Sequence, residues 1–149
     1  MINFPSRVLI VDDDPLHLDI LERAFINAGV ATVTKASDGY QAKSLMAEAH
    51  PPFDLVILDL CLPGFDGFEM LSHFDTCGSD TRFVLLSGMP RHMLDMAATF
   101  SQMKGLQLIG ALQKPAAISE LMEVVRSHDW EPTPRATASG VSQTSSSSG

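Results

Sequence analysis

The sequence predicts an α/β fold in which a parallel sheet is covered on both faces by helices. Three observations carry this. Short aliphatic or β-branched runs recur five times, segments of helical spacing lie between them, and the runs are continuously apolar rather than alternating. Strands alternating with helices imply parallel crossovers, and continuous apolar strands imply burial of both sheet faces. The five runs are Val8–Val11, Ala31–Thr34, Leu55–Leu58, Phe83–Leu86 and Leu106–Leu112.

The first strand runs into Asp12-Asp13-Asp14-Pro15, where Pro15 suits the first helical position and Asp14 its cap. Leu18, Leu21, Phe25 and Ala28 then fall on one helical face. Ala42, Leu45, Met46 and Ala49 repeat that spacing after the second strand. The third strand leads through Pro63 and Gly64 to Asp66-Gly67, a turn into the next helix. Met89, Met93, Met96 and Met103 follow the fourth strand and read as core filler, or alternatively as an adaptable partner-binding patch. Ile118, Leu121, Met122 and Val125 give the last amphipathic helix. From His128 the composition shifts, and Trp130 to Gly149 is rich in Ser, Thr, Pro and Gly. Such a stretch buries too little apolar surface to offset its conformational entropy. The expected organisation is one domain over 1–127 and a flexible tail over 128–149.

Of 149 residues, 45% are hydrophobic and 19% charged, and the net charge is −8. An acidic chain with scattered bases repels phosphate backbones, so nucleic-acid binding is not expected. No apolar run approaches the roughly 20 residues of a membrane helix. The first residues lack a secretory pattern, and Cys61 and Cys77 show no metal or redox spacing, so a reducing cytoplasmic setting is expected. The residues after Ser127 are too few and too simple for a DNA-binding domain. Output is therefore expected through an as yet unidentified protein, or through a domain outside this chain.

In open parallel sheets, sites gather beyond the carboxyl ends of the strands. Asp12 and Asp13 lie there. They read either as helix-terminal charge complementing the dipole or as oxygen ligands for a hard cation such as Mg²⁺. Asp59 closes the third run, Ser87 the fourth, and Lys114, followed by Pro115, the fifth. Acids, a hydroxyl and an ammonium thus meet at one crevice. The five histidines (His17, His50, His73, His92, His128) show no ligand spacing and read as surface or packing residues.

Val11-Asp12-Asp13, Leu58-Asp59-Leu60 with Pro63 and Gly67, Leu86-Ser87-Gly88 and Lys114-Pro115 together resemble the bacterial response-regulator receiver domain. The resemblance implies a five-stranded, doubly wound, flavodoxin-like sheet in a two-component signalling protein. It implies that Asp59 accepts a phosphoryl group from a sensor histidine kinase or a histidine phosphotransfer protein. It further implies Mg²⁺ held by Asp12, Asp13, Asp59 and the backbone carbonyl of Cys61, with Lys114 and Ser87 on phosphoryl oxygens. The chain would then be a phosphorylation switch rather than an enzyme. Receivers commonly carry an aromatic residue three positions before the lysine; here Ala111 stands there, so coupling is expected through backbone or helix shifts. Leu108 to Pro115 is similar to receivers attached to cyclic-di-GMP phosphodiesterases of the EAL type, which makes a fragment of such a protein one alternative. A small phosphatase forming an aspartyl phosphate is another, disfavoured because Cys61 stands where its general acid would be.

Overall fold

A computed structural model of the chain describes residues 4–60, 71 and 80–130. Five strands form one sheet: β1 (Arg7–Val11), β2 (Thr32–Ala36), β3 (Leu55–Asp59), β4 (Arg82–Ser87) and β5 (Gln107–Gln113). Their order is β2-β1-β3-β4-β5, and every neighbouring pair is parallel. Four described helices join or follow them: α1 (Pro15–Asn27), α2 (Gly39–Glu48), α3 (Arg91–Met103) and α4 (Ile118–Ser127). This is the predicted α/β class, with the order reversing between β1 and β3. Among the described residues no helix is long and apolar enough to cross a membrane.

Period-two alternation along the strands explains why both faces are apolar. Leu9, Val11, Val56, Leu58, Phe83 and Leu85 join Ala42 of α2 and Leu94 and Ala97 of α3 in one buried cluster. Val8, Ile10, Leu55, Ile57, Val84 and Leu86 join Leu18, Leu21 and Phe25 of α1 and Leu121 and Val125 of α4 in the other. The sheet is therefore wound on both sides. Asp54 fixes the start of the central strands, its Oδ2 accepting from the backbone N–H groups of Ser6 at 3.1 Å and Arg7 at 3.0 Å.

Three expectations need correction. Trp130, placed with the tail by composition, is only 7% exposed and packs in the second cluster, so the folded part runs past Ser127. One buried aromatic outweighs the polar residues around it. The tail expected beyond Trp130 lies outside the described residues. Met89 packs on the first cluster, but Met93, Met96 and Met103 are exposed, because α3 turns Leu94, Ala97 and Ser101 inward instead. The second strand begins at Thr32 and extends to Ala36.

β5 carries an irregularity that no periodicity announces. Phe83 pairs with Leu108 but Val84 pairs with Gly110, so one extra residue is accommodated at Ile109. Gly110 then faces α4 so closely that a Cβ there would lie 2.7 Å from Cγ1 of Val124. Val124 is β-branched and has little rotamer freedom with which to yield. Gly110→Ala is therefore expected to destabilise the chain by about 1–3 kcal/mol through overpacking. A urea midpoint equal to that of the wild type would refute this account of the α4–β5 contact.

Candidate functional site

Strand register alone assembles the site. Val11 pairs with Leu58, Asp59 with Leu86, and Ser87 with Gln113. The next residues along these strands therefore emerge at one end of the sheet, where the order reverses between β1 and β3. Crevices at such reversals are the usual binding places in open parallel sheets. Asp14 caps α1 through a 3.0 Å bond from the Leu16 N–H, and Pro15 begins the helix, as the sequence predicts.

One ligand oxygen from each of Asp12, Asp13 and Asp59 lies within 4.8 Å of the other two. Asp12 and Asp59 are buried, at 1% and 3% exposure, while Asp13 is exposed. At about 5 Å each carboxylate pair repels by about 3 kcal/mol at an effective dielectric of about 20. Lys114 answers part of this. Its Nζ donates to Asp59 Oδ2 at 2.7 Å and stands 3.5 Å from Asp12 Oδ2. Burial by itself would lower the Lys114 ammonium, but the hydrogen bond and charge of Asp59, and then Asp12, hold it above its ordinary value. Lys114 is thus a cation at neutral pH.

Asp12 is held at both of its carboxylate oxygens. Its Oδ1 accepts from the Asp14 N–H at 3.0 Å, and its Oδ2 pairs with Nδ1 of His17. Burial would raise this carboxyl, but the Asp14 amide, His17 and Lys114 together hold it below its ordinary value. His17 escaped the sequence reading, which sought spacing among histidines. The usable signal was its place two residues after Pro15, since first-turn side chains lean back toward the helix start.

Ser87 is fully buried, and its Oγ accepts from the Met89 N–H at 3.1 Å. The Met89 carbonyl in turn accepts from Nε2 of Gln113 at 3.1 Å, and the Lys114 N–H donates to the Ser87 carbonyl at 2.7 Å. Arg91 reaches the Ala111 carbonyl at 3.4 Å. The loop after β4 is thereby tied to the end of β5 beside Ala111. The Lys114–Pro115 bond is cis. Cys61, Pro63, Asp66 and Gly67 lie outside the described residues.

Three carboxylates against one ammonium leave the cluster with a net charge of −2, which a single divalent cation balances. An all-oxygen donor set that is partly open to water suits Mg²⁺, which retains several of its waters. The residues present fit the ion.

Known proteins resemble this chain in sequence and in fold. The sporulation initiation phosphotransferase F of Bacillus subtilis is 30% identical over 123 residues, covering 83% of this chain and 93% of its own. The two-component response regulator ARR2 of Arabidopsis thaliana is 36% identical over 103 residues, which is 62% of this chain but 15% of that protein. The chain thus spans nearly all of the first relative and a small part of the second. A chain of the CheX-CheY-BeF3-Mg+2 complex from Borrelia burgdorferi matches with a TM-score of 0.69 at 26% identity, covering 83% of this chain and 89% of that one. A family model agrees across nearly the whole described fold, from residue 8 to residue 126: the chain belongs to the response regulator receiver domain family.

Proposed function

We propose that Asp59 is the phosphoacceptor of a two-component relay and that its phosphorylation, with Mg²⁺ present, switches a protein-docking face. The donor would be a phosphohistidine on a sensor kinase or phosphotransfer protein. Receiver domains bind Mg²⁺ at their acidic cluster, interact with such donors, and are in general phosphoacceptors rather than enzymes. The supporting observation is the cluster itself: three carboxylates within 4.8 Å and the Lys114 ammonium 2.7 Å from the one that closes β3.

Each residue has a definable task. An Asp59 oxygen attacks phosphorus, forming an O–P bond as the N–P bond breaks, and the electron pair stays on the departing imidazole, which takes a proton. One anion must approach another, so positioning and charge neutralisation dominate the barrier. Lys114 transfers its hydrogen bond from Asp59 to a phosphoryl oxygen, and the Ser87 hydroxyl donates to a second. Asp12, Asp13 and Asp59 would hold Mg²⁺, with the carbonyl of Cys61, which lies outside the described residues, as the further expected ligand; the bound ion would supply Lewis-acid neutralisation of the developing charge. Movement of Ser87 draws Met89, and Met89 is bonded to Gln113 on β5. This hydrogen-bonded route takes the place of the aromatic ring that Ala111 lacks. Differential stabilisation of one shape by the phosphoryl contacts shifts the population.

Acetyl phosphate with Mg²⁺ should add the mass of one phosphoryl group, mapped by mass spectrometry to the peptide containing Asp59. No adduct at saturating donor would overturn the reading. Lys114→Ala should still fold and accept the group, but the amide resonances of Ser87 and Met89 should no longer shift on phosphorylation. A wild-type pattern of shifts in that variant would remove Lys114 from the coupling.

A further inference from the structure

We propose that His17 is a positioning residue of the metal site, holding the buried Asp12 carboxylate in the orientation that receives Mg²⁺. The inference rests on the phosphoacceptor reading above and adds a residue to it. His17 lies in the first turn of α1, and its side chain is only 25% exposed. It lines a cavity of about 400 Å³ together with Asp14, Lys114 and Pro115. Its Nδ1 meets Asp12 Oδ2, and a nitrogen drawn to a carboxylate oxygen does so as a donor, so Nδ1 carries a proton.

Asp12 has three neighbours that fix it: the Asp14 amide on Oδ1, and His17 and Lys114 on Oδ2. Lys114 is not a permanent one, since it sits nearer to Asp59, at 2.7 Å against 3.5 Å, and is needed on the phosphoryl group. When it leaves, the Asp14 amide and His17 remain. Each carboxylate oxygen has two lone pairs, so Oδ2 can keep the imidazole N–H and still face the ion or one of its waters. Without His17, the carboxylate would be left with one firm donor and freedom to rotate. Groups that orient metal ligands in this way typically carry a 10–100-fold effect on affinity.

The test is titration calorimetry of the full chain with Mg²⁺ alone, alongside phosphorylation by acetyl phosphate over a range of Mg²⁺ concentrations. His17→Leu should weaken Mg²⁺ binding by about 10-fold or more. The Mg²⁺ needed for half-maximal phosphorylation should rise by the same factor, with the rate at saturating Mg²⁺ unchanged. His17→Asn places an amide nitrogen where Nδ1 stood and should restore binding, whereas His17→Gln places it further out and should not. If the Leu variant fails to fold, the Asn and Gln pair still decides. Equal Mg²⁺ affinity in wild type, Leu and Gln variants, or a folded Asn variant without recovery, overturns the inference. Labelled wild type with unaltered variants sinks only the role of His17; wild type that takes no phosphoryl group on Asp59 sinks the parent reading.

Discussion

Asp59→Asn is expected to take up no phosphoryl group from acetyl phosphate and Mg²⁺ while keeping the wild-type fold. The amide that replaces the carboxylate is neutral and a poor nucleophile, and neither remaining acid is placed to substitute for it. Both Asp12 oxygens are engaged, one by the Asp14 amide and the other by His17, and Asp13 is exposed. The effect on stability is a contest of similar terms. Removing one of three like charges relieves about 3 kcal/mol per pair at an effective dielectric of about 20. Losing the charge on the partner of Lys114 forfeits a charge-assisted hydrogen bond of about 1.5–3 kcal/mol. With two repulsive pairs relieved and Lys114 still 3.5 Å from Asp12, the variant should be at least as stable as the wild type. Intact-mass measurement and thermal unfolding followed by circular dichroism check the two halves. Stable labelling of the variant at another residue would move the phosphoacceptor elsewhere.

How far the sequence carried depended on how many neighbouring residues spoke for each feature. β1, β3 and β4 are central strands buried on both faces, so each is an unbroken apolar run that could hardly be read otherwise. The edge strand β2 is half exposed and carries Lys35, which is why its apolar run placed it one residue early and two residues short. The meeting of Asp12, Asp59, Ser87 and Lys114 at one end of the sheet was legible because parallel topology puts every carboxyl end together. Features resting on single residues were not. The extra residue in β5 leaves no periodic trace, since Leu108 to Leu112 is apolar or small throughout. His17 acts across five residues on an acid outside its own helix, a relation that no search for metal-ligand spacing includes. Composition averaged over Trp130 to Gly149 hid one buried indole among polar neighbours.

That indole supports the second large effect. Trp130→Ala should cost about 3–5 kcal/mol, the usual range for truncating a buried large aromatic. Against a total stability of roughly 5–15 kcal/mol, such a loss leaves a visibly weakened fold. Two contributions combine. Trp130 belongs to the cluster that also contains Leu21, Phe25, Leu121 and Val125, so its removal opens a cavity in that cluster. Its Nε1 also donates to the Val125 carbonyl at 2.8 Å, satisfying a group in the last turn of α4. His128 stacks edge-on with ring centroids 4.6 Å apart. Burial, and then the Arg82 charge, hold that imidazole below its ordinary value against an opposing pull from Asp129, which favours a neutral ring beside the indole. Trp130→Phe separates the contributions: it keeps most of the packing and gives up the N–H, worth about 1 kcal/mol. Urea unfolding should be followed by circular dichroism, because Trp130 is the chain's single tryptophan and both variants remove that fluorophore. A midpoint unchanged by the Ala substitution would mean that the fold closes at Ser127 after all.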